Sequence, residues 1–325
     1  MRAVVVTQQG GSDAMQVQDR PEPQPGPHEV RVDVGASGVN FIDTYQRSGA
    51  YPMETPFVAG SEGAGTVSAV GAEVDDVRVG DRVAWLMVAG GGYAEQVLVP
   101  AERCVPVPDD VDDRTAAAAM LQGVTADYLT HSTYVVRPGD DVLVHAAAGG
   151  MGLLLTQICT FLGARVIGTT STPAKAEAAR AAGAAHVVDY TSQDVADEVR
   201  RLTDGRGVAV AYDGVGRTTQ DASLDSLARR GVYVLYGQAS GPVPPVEAKR
   251  LNAGGSLFFT RPTVVDHVVT REELLERTGR VLGWVRDGSL RLTIGGTYAL
   301  DDAARAHDDL EGRRTTGKLL VLPHG

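Results

Sequence analysis

The sequence predicts an α/β protein: a small rolled β domain followed by a doubly wound parallel sheet. Three observations carry this. Residues 1–108 are short Val-rich stretches punctuated by Gly and Pro, the texture of strands and turns. From Asp141 onward continuous apolar strands alternate with helical segments, which is how βα units in a sheet covered on both faces read. A length of 325 residues accommodates two domains at ~150 residues each.

The strands expected in the first part are 3–8, 29–39, 63–72, 81–87, 93–100 and 104–108, with a Pro-rich connection over 21–29. An Ala-rich helix is expected within 115–136. Strand 141–147, helix 150–163 and strand 165–170 follow, then a helix at 173–182 with Pro173 in its first turn. Next come strand 186–190, a helix near 194–203, strand 208–215, helix 218–228 and strand 231–236. The tail adds strand 256–260, a helix near 271–286, strand 291–296, helix 301–311 and strand 318–323. There is no internal repeat and no low-complexity segment.

Composition narrows the function classes. A net charge of −11 repels phosphate backbones, so nucleic acid is not an expected partner. Cys104 and Cys159 are far apart with no CxxC, which excludes a disulfide framework and a cysteine zinc cluster. No apolar run approaches the ~18 residues of a membrane span. The N-terminus turns polar after Val6, so no signal peptide is expected and the cytoplasm is the expected location. The seven histidines form no HExxH and no pair at ligand spacing. Of 30 basic residues only Lys175, Lys249 and Lys318 are lysines, so each invites a reason.

The segment His145-Ala-Ala-Ala-Gly149-Gly150-Met151-Gly152 follows a predicted strand and opens a predicted helix. There Gly149 and Gly150 let the backbone turn against a pyrophosphate, with Ala148 and Met151 in the same turn. Gly152 lets the helix lie close to the strand, and the helix N-terminus favours the anion. The alternative is a purely structural Gly-rich turn. The nucleotide's ribose is read at the end of the next strand, ~20 residues on. No Asp or Glu stands there; the chain reads Thr169-Thr170-Ser171-Thr172 and then Lys175. Hydroxyls and a cation suit a 2′-phosphate. Tyr190, at the end of the third strand, flanks that pocket or is an ordinary strand-end aromatic.

Six segments together carry a resemblance: Gly38-Val-Asn-Phe-Ile-Asp-Thr-Tyr45 with Arg47–Pro52; Gly60-Ser-Glu-Gly-Ala-Gly-Thr-Val67; Val79-Gly-Asp-Arg-Val83; His145–Gly152; Tyr212-Asp-Gly-Val-Gly216; and Thr260-Arg-Pro262. Over essentially its whole length the chain resembles the zinc-free quinone oxidoreductases related to zeta-crystallin, within the medium-chain dehydrogenase/reductase superfamily. The resemblance implies a GroES-like β domain for substrate (1–122 and 262–325) and a Rossmann domain for NADPH (123–261). It implies hydride transfer from NADPH to a quinone, with an enone or alkenal reductase, or a non-catalytic NADPH-binding protein, as the alternatives.

Zinc-containing relatives have a Cys ligand where this chain has Asn40, and a His ligand where Ser61 stands in Gly60-Ser61-Glu62. Neither an amide nor a serine hydroxyl suits zinc, so no metal is expected. Asn40 and Tyr45, in the loop that replaces the zinc site, are the expected donors to a developing oxyanion; Tyr45, or water beside it, passes the proton. Asp43 is expected to orient neighbours or a ribose hydroxyl, or to cap a helix. Thr125 is placed at the start of the helix leading into the cofactor domain, against the nicotinamide ribose or ring. Gly237, Arg261 and Lys318 are expected beside the cofactor, with surface salt bridges the alternative for Arg261 and Lys318. Met151, Gln122 and Tyr236-Gly237-Gln238 depart from the commoner family residues and put substrate preference, more than reaction type, in question. Family analogy also implies a homodimer through strand edges near Ser256–Thr260, where Phe258 and Phe259 would be costly to expose.

Overall fold

The computed structural model describes residues 1–325. In chain order its elements are β1 (Arg2–Val6), β2 (Met15–Asp19), β3 (Glu29–Val39), α1 (Phe41–Ser48), β4 (Phe57–Val58), β5 (Glu62–Val70), β6 (Arg82–Leu86), β7 (Gln96–Pro100), β8 (Val105–Pro106) and α2 (Asp113–Tyr128). There follow β9 (Asp141–Val144), α3 (Gly150–Phe161), β10 (Arg165–Thr170), α4 (Pro173–Ala181), β11 (His186–Asp189), α5 (Val195–Leu202), β12 (Val208–Asp213), α6 (Gln220–Ser226), β13 (Leu227–Leu235), α7 (Ala248–Ala253) and β14 (Phe258–Thr260). Helix α8 (Arg271–Arg286), β15 (Ile294–Ala299), α9 (Ala303–Glu311) and β16 (Lys318–Leu322) complete the chain.

The chain divides into two compact units. The first comprises Met1–Val124, Val268–Asp287 and Leu292–Gly325, the second Thr125–His267 and Gly288–Arg291. The first unit holds a seven-stranded sheet running β15-β16-β3-β5-β6-β8, with β7 also paired to β3, and a small sheet β2-β1-β4. Alternating Val along β3 puts Val30, Val32 and Val34 in a core with Trp85, Val97 and Val99, the period-two pattern of a half-buried strand. The second unit is one six-stranded sheet, β11-β10-β9-β12-β13-β14. Every pair in it is parallel. Strand β9 has β10 on one side and β12 on the other, so the winding reverses at its carboxyl end, the place where such sheets bind nucleotides.

The structure departs from the sequence reading in several places. Asn40–Ser48 is not a loop: residues 41–48 form α1. Asp43, at the third position, accepts the Asn40 backbone N–H at 2.8 Å, and Gly49 ends the helix in the left-handed region at φ 82°. These are ordinary start and stop signals, but eight residues are too few for hydrophobic periodicity to declare itself. Thr125 lies near the end of α2, not at its start. Strand β13 begins at Leu227, earlier than expected, and β15 begins at Ile294, later. Strand β2 and helix α7 were not anticipated. Phe259 packs on Tyr233, ring centroids 5.2 Å apart, whereas Phe258 is 60% exposed on the edge strand β14.

Candidate active site

In the second unit the predicted glycine turn leaves the end of β9 and enters α3. Ala146 sits at φ 49°, and Gly149 N–H closes a turn on Ala146 O at 2.9 Å. Gly149 caps α3 with extended backbone and no side chain, so no side chain satisfies the first N–H groups of this twelve-residue helix, the arrangement that suits an anion. A Cβ on Gly152 would stand 2.2 Å from Ala146 O; the helix can start this close to the turn only with glycine there.

The next turn, after β10, is more selective than its four hydroxyls suggested. Thr169 is buried and its hydroxyl accepts Ala146 N–H at 3.2 Å. Thr172 caps α4 through Lys175 N–H at 3.3 Å, with Pro173 at the first turn. Those two hydroxyls are spent on structure. Thr170 is buried, while Ser171 and Lys175, both half-buried, stand at the turn into α4. Tyr190, 41% exposed, follows β11. Gly237 follows β13, packed so that a Cβ would meet Gly214 O at 2.6 Å. Arg261 follows β14 and is exposed. All of these lie at or just past the carboxyl ends of the parallel strands.

Behind the turn lies a buried polar node. Asp213 Oδ1 accepts N–H groups of Val215 (2.7 Å) and Gly216 (3.0 Å). Its Oδ2 accepts the hydroxyls of Thr219 (2.7 Å), Tyr233 (3.0 Å) and Ser223 (3.1 Å). With the Ser223 hydrogen on Asp213, His145 Nε2–H donates to Ser223 Oγ at 3.0 Å, and Nδ1 faces Thr169 Oγ1 at 3.3 Å. Burial holds His145 below its ordinary pKa, so a neutral ring ties the end of β9 to β10 and α6 beneath the nucleotide turn.

The first unit gathers Asn40, Asp43 and Lys318. Lys318 is no surface residue: 3% exposed, its ammonium donates to Asn40 Oδ1 at 2.7 Å and pairs with Glu62 Oε1. Asn40 Nδ2 donates to Glu62 Oε1 at 2.6 Å, and Leu121 N–H donates to Glu62 Oε2 at 2.6 Å. Gln122 Nε2 adds a contact to Asn40 Oδ1 at 3.3 Å. Asp43 accepts from Ser61 Oγ at 2.8 Å and from the Tyr93 hydroxyl at 3.2 Å. Burial pushes the Asp43 carboxyl up to about 6, against the Ser61 and Asn40 hydrogen bonds that favour its charge. His307 Nε2 lies 3.2 Å from the Tyr93 hydroxyl and its Nδ1 3.2 Å from Arg47 Nη1; Arg47 grips Glu311 with both carboxylate oxygens at 3.0 Å. Tyr45, on α1, is half-buried with its ring 5.3 Å from that of Tyr51. Cys104 and Cys159 are buried, and burial pushes both thiols up, Cys104 to about 12, which leaves neither as a nucleophile.

The chain matches known families in both units: "Alcohol dehydrogenase GroES-like domain" over residues 26–109 and "Zinc-binding dehydrogenase" over residues 150–280. It is 46% identical to a quinone oxidoreductase of Pseudomonas aeruginosa over 315 residues, 97% of each chain. The chain belongs to the quinone oxidoreductase family of the medium-chain dehydrogenase/reductases. Another relative, a 2-haloacrylate reductase of a Burkholderia species, is 43% identical over 99% of this chain and 98% of its own. Among solved structures, a mycobacterial protein complexed with NADPH superimposes with a TM-score of 0.96 at 50% identity, covering 99% of this chain and all of that one.

Zinc, named in one family description, does not fit this quinone oxidoreductase. No group of three or more His, Cys, Asp and Glu side chains converges in the structure. The oxygens of Asn40 and Glu62 already hold the Lys318 ammonium, and Ser61 is turned to Asp43. No helix is long and apolar enough to cross a membrane. Glu62 and Arg47 lie inside motifs of the sequence that give them no task, and nothing in the sequence singles out Tyr93 or His307; the partners of these residues are remote in sequence, so no local signal marks them.

Proposed function

We propose that this protein is a zinc-independent, NADPH-dependent reductase that transfers hydride to quinones. The observation that carries the cofactor half is the end of β10. It has no carboxylate for a ribose 2′-hydroxyl, and Ser171 and Lys175 stand at the turn into α4. Ala148–Gly152 hold the pyrophosphate, Thr170, Ser171 and Lys175 the 2′-phosphate, and Tyr190, Gly237 and Arg261 complete the rim. When bound, NADPH supplies a hydride from its nicotinamide ring. The Pseudomonas relative supports a quinone as the acceptor.

The first unit provides the substrate's surroundings. Asn40 and Tyr45 donate to the carbonyl oxygen on which charge develops. Tyr45, or water beside it, delivers the proton that completes the hydroquinone. Asp43 acts at one remove, holding Ser61, Tyr93 and the Asn40 backbone. Thr125 lines the nicotinamide side. Lys318, expected beside the cofactor, has its ammonium committed to Asn40 and Glu62 and is given no contact with the nucleotide. The protein acts in the cytoplasm as a homodimer joined along β14, where Phe258 is 60% exposed.

A second reading, reduction of the β-carbon of a conjugated carbonyl, is favoured by the 2-haloacrylate reductase relative. One experiment separates these readings: NADPH and NADH oxidation, side by side, with 1,4-benzoquinone and with a simple enone, chelator present. Turnover with NADPH and quinone, little with NADH, and no effect of chelator is expected. Enone turnover alone selects the second reading. NADPH that stabilises the protein with no turnover on either acceptor makes it a binding protein.

A further inference from the structure

We infer that the buried Glu62–Lys318 pair is a positioning device that sets the Asn40 amide so that one of its N–H bonds is held for the acceptor's carbonyl oxygen. The inference rests on the reductase reading above and assigns tasks to two residues that it leaves without one.

Asn40 is a symmetric-looking group that must be told which way to face. Its Oδ1 meets an obligate donor, Lys318 Nζ at 2.7 Å, with Gln122 Nε2 also at 3.3 Å, and its Nδ2 meets an obligate acceptor, the Glu62 carboxylate, at 2.6 Å. Turning the amide over would aim N–H at an ammonium and C=O at a carboxylate. The pair therefore permits one orientation only. In it, one Nδ2–H is given to Glu62 and the second is engaged by no hydrogen bond, on a residue 5% exposed.

The pair is costly to keep. Lys318 is 3% exposed and Glu62 fully buried, and an apolar pair of the same volume is often as stable as a buried ion pair. The surrounding chain is built to admit it. A Cβ on Gly38 would fall 1.9 Å from Glu62 Oε1 and 2.8 Å from Lys318 Cε. Leu121 spends a backbone N–H, at 2.6 Å, on the other Glu62 oxygen. The cation is a lysine in a chain with 27 arginines among its 30 basic residues. A compact ammonium reaches Asn40 and Glu62 together, where a guanidinium would bring five donors into a space offering acceptors for two. β3, β5, β16 and α2 thus converge on one amide.

The test is Glu62→Gln with Lys318→Met, which removes both charges and keeps volume, so no lone charge is buried. NADPH affinity, read by nicotinamide fluorescence, is expected to stay within about twofold of wild type. With 1,4-benzoquinone, kcat is expected to fall at least about tenfold, and the same double substitution added to Asn40→Ala to cost no more than about twofold further. Full kcat in a folded double variant overturns the inference, as do losses that simply add to those of Asn40→Ala. Should the double variant fail to fold, Gly38→Ala serves instead: the three atoms nearest its methyl are Glu62 Oε1, Glu62 Cδ and Lys318 Cε, side-chain atoms that the methyl pushes aside. The same fall in kcat at unchanged NADPH affinity is then expected, and unchanged kcat overturns the inference. A wild type that oxidises no NADPH with quinone sinks the reductase reading itself; wild-type turnover with unaffected variants sinks only the positioning role.

Discussion

His307 Nε2 stands 3.2 Å from the Tyr93 hydroxyl, with the two rings edge to face at 5.7 Å. The hydroxyl's hydrogen is given to Asp43, so His307 is the donor to Tyr93, and its Nδ1 lone pair faces Arg47. Burial and then Arg47 hold His307 down to about 3. In the unfolded chain it titrates near ~6.5. The fold therefore loses stability as pH falls from about 6.5 toward 3, by about 1.4 kcal/mol per unit at most.

Asp43 works in the opposite sense. Its folded pKa, raised to about 6, lies above the unfolded value of ~3.9. Its contribution is complete below ~3.9 and is lost as pH rises through about 6. Between about pH 4 and 6 the two groups oppose each other. Urea midpoints at pH 7, 6 and 5 should fall more steeply with acid in Asp43→Asn than in wild type. In His307→Gln the decline should flatten or reverse. Parallel curves for all three proteins would contradict this account.

Nucleotide choice should respond to Lys175. Lys175→Gln is expected to raise the KM for NADPH by about tenfold or more, since a 2′-phosphate loses a charge-assisted partner, and to leave the KM for NADH nearly unchanged. Equal effects on both nucleotides would place the phosphate elsewhere.

Gly152→Ala probes the turn. Its Cβ would lie 2.2 Å from a backbone oxygen and 2.7 Å from Ala147 Cα, atoms that cannot swing aside. NADPH binding should weaken by about a hundredfold or be lost, and thermal stability should drop by several degrees. Wild-type affinity in this variant would mean that α3 can shift without cost.

Association should depend on Phe258. It is 60% exposed on an edge strand, where unpaired backbone groups invite a partner. Phe258→Asp is expected to move the protein from dimer to monomer in sedimentation at micromolar concentration. A monomeric wild type would refute the β14 interface at once.

Much of this molecule is legible from its residues. The runs DVLV, RVIGTT and VAVAYD are too apolar to face water and become the adjacent strands β9, β10 and β12. The glycine turn lies where strand, turn and helix signals meet. What escaped the reading depends on distance in sequence. Glu62 and Lys318 are 256 residues apart, and nothing near either predicts a buried pair. In the stretch Thr169–Thr172 all four hydroxyls look alike, because composition cannot tell a free hydroxyl from one already holding Ala146 or capping α4, as those of Thr169 and Thr172 do. Helix α1 was marked by Asn40, Asp43 and Gly49, but only as caps around a helix too short to show a period.

The burial of Lys318 has a practical consequence. With three lysines in the chain and one sealed inside, amine-reactive dyes, cross-linkers and sensor surfaces reach the protein only at Lys175, Lys249 and the N-terminus. Coupling through amines will therefore use only a few attachment points, and a bound nucleotide should shield the one at Lys175.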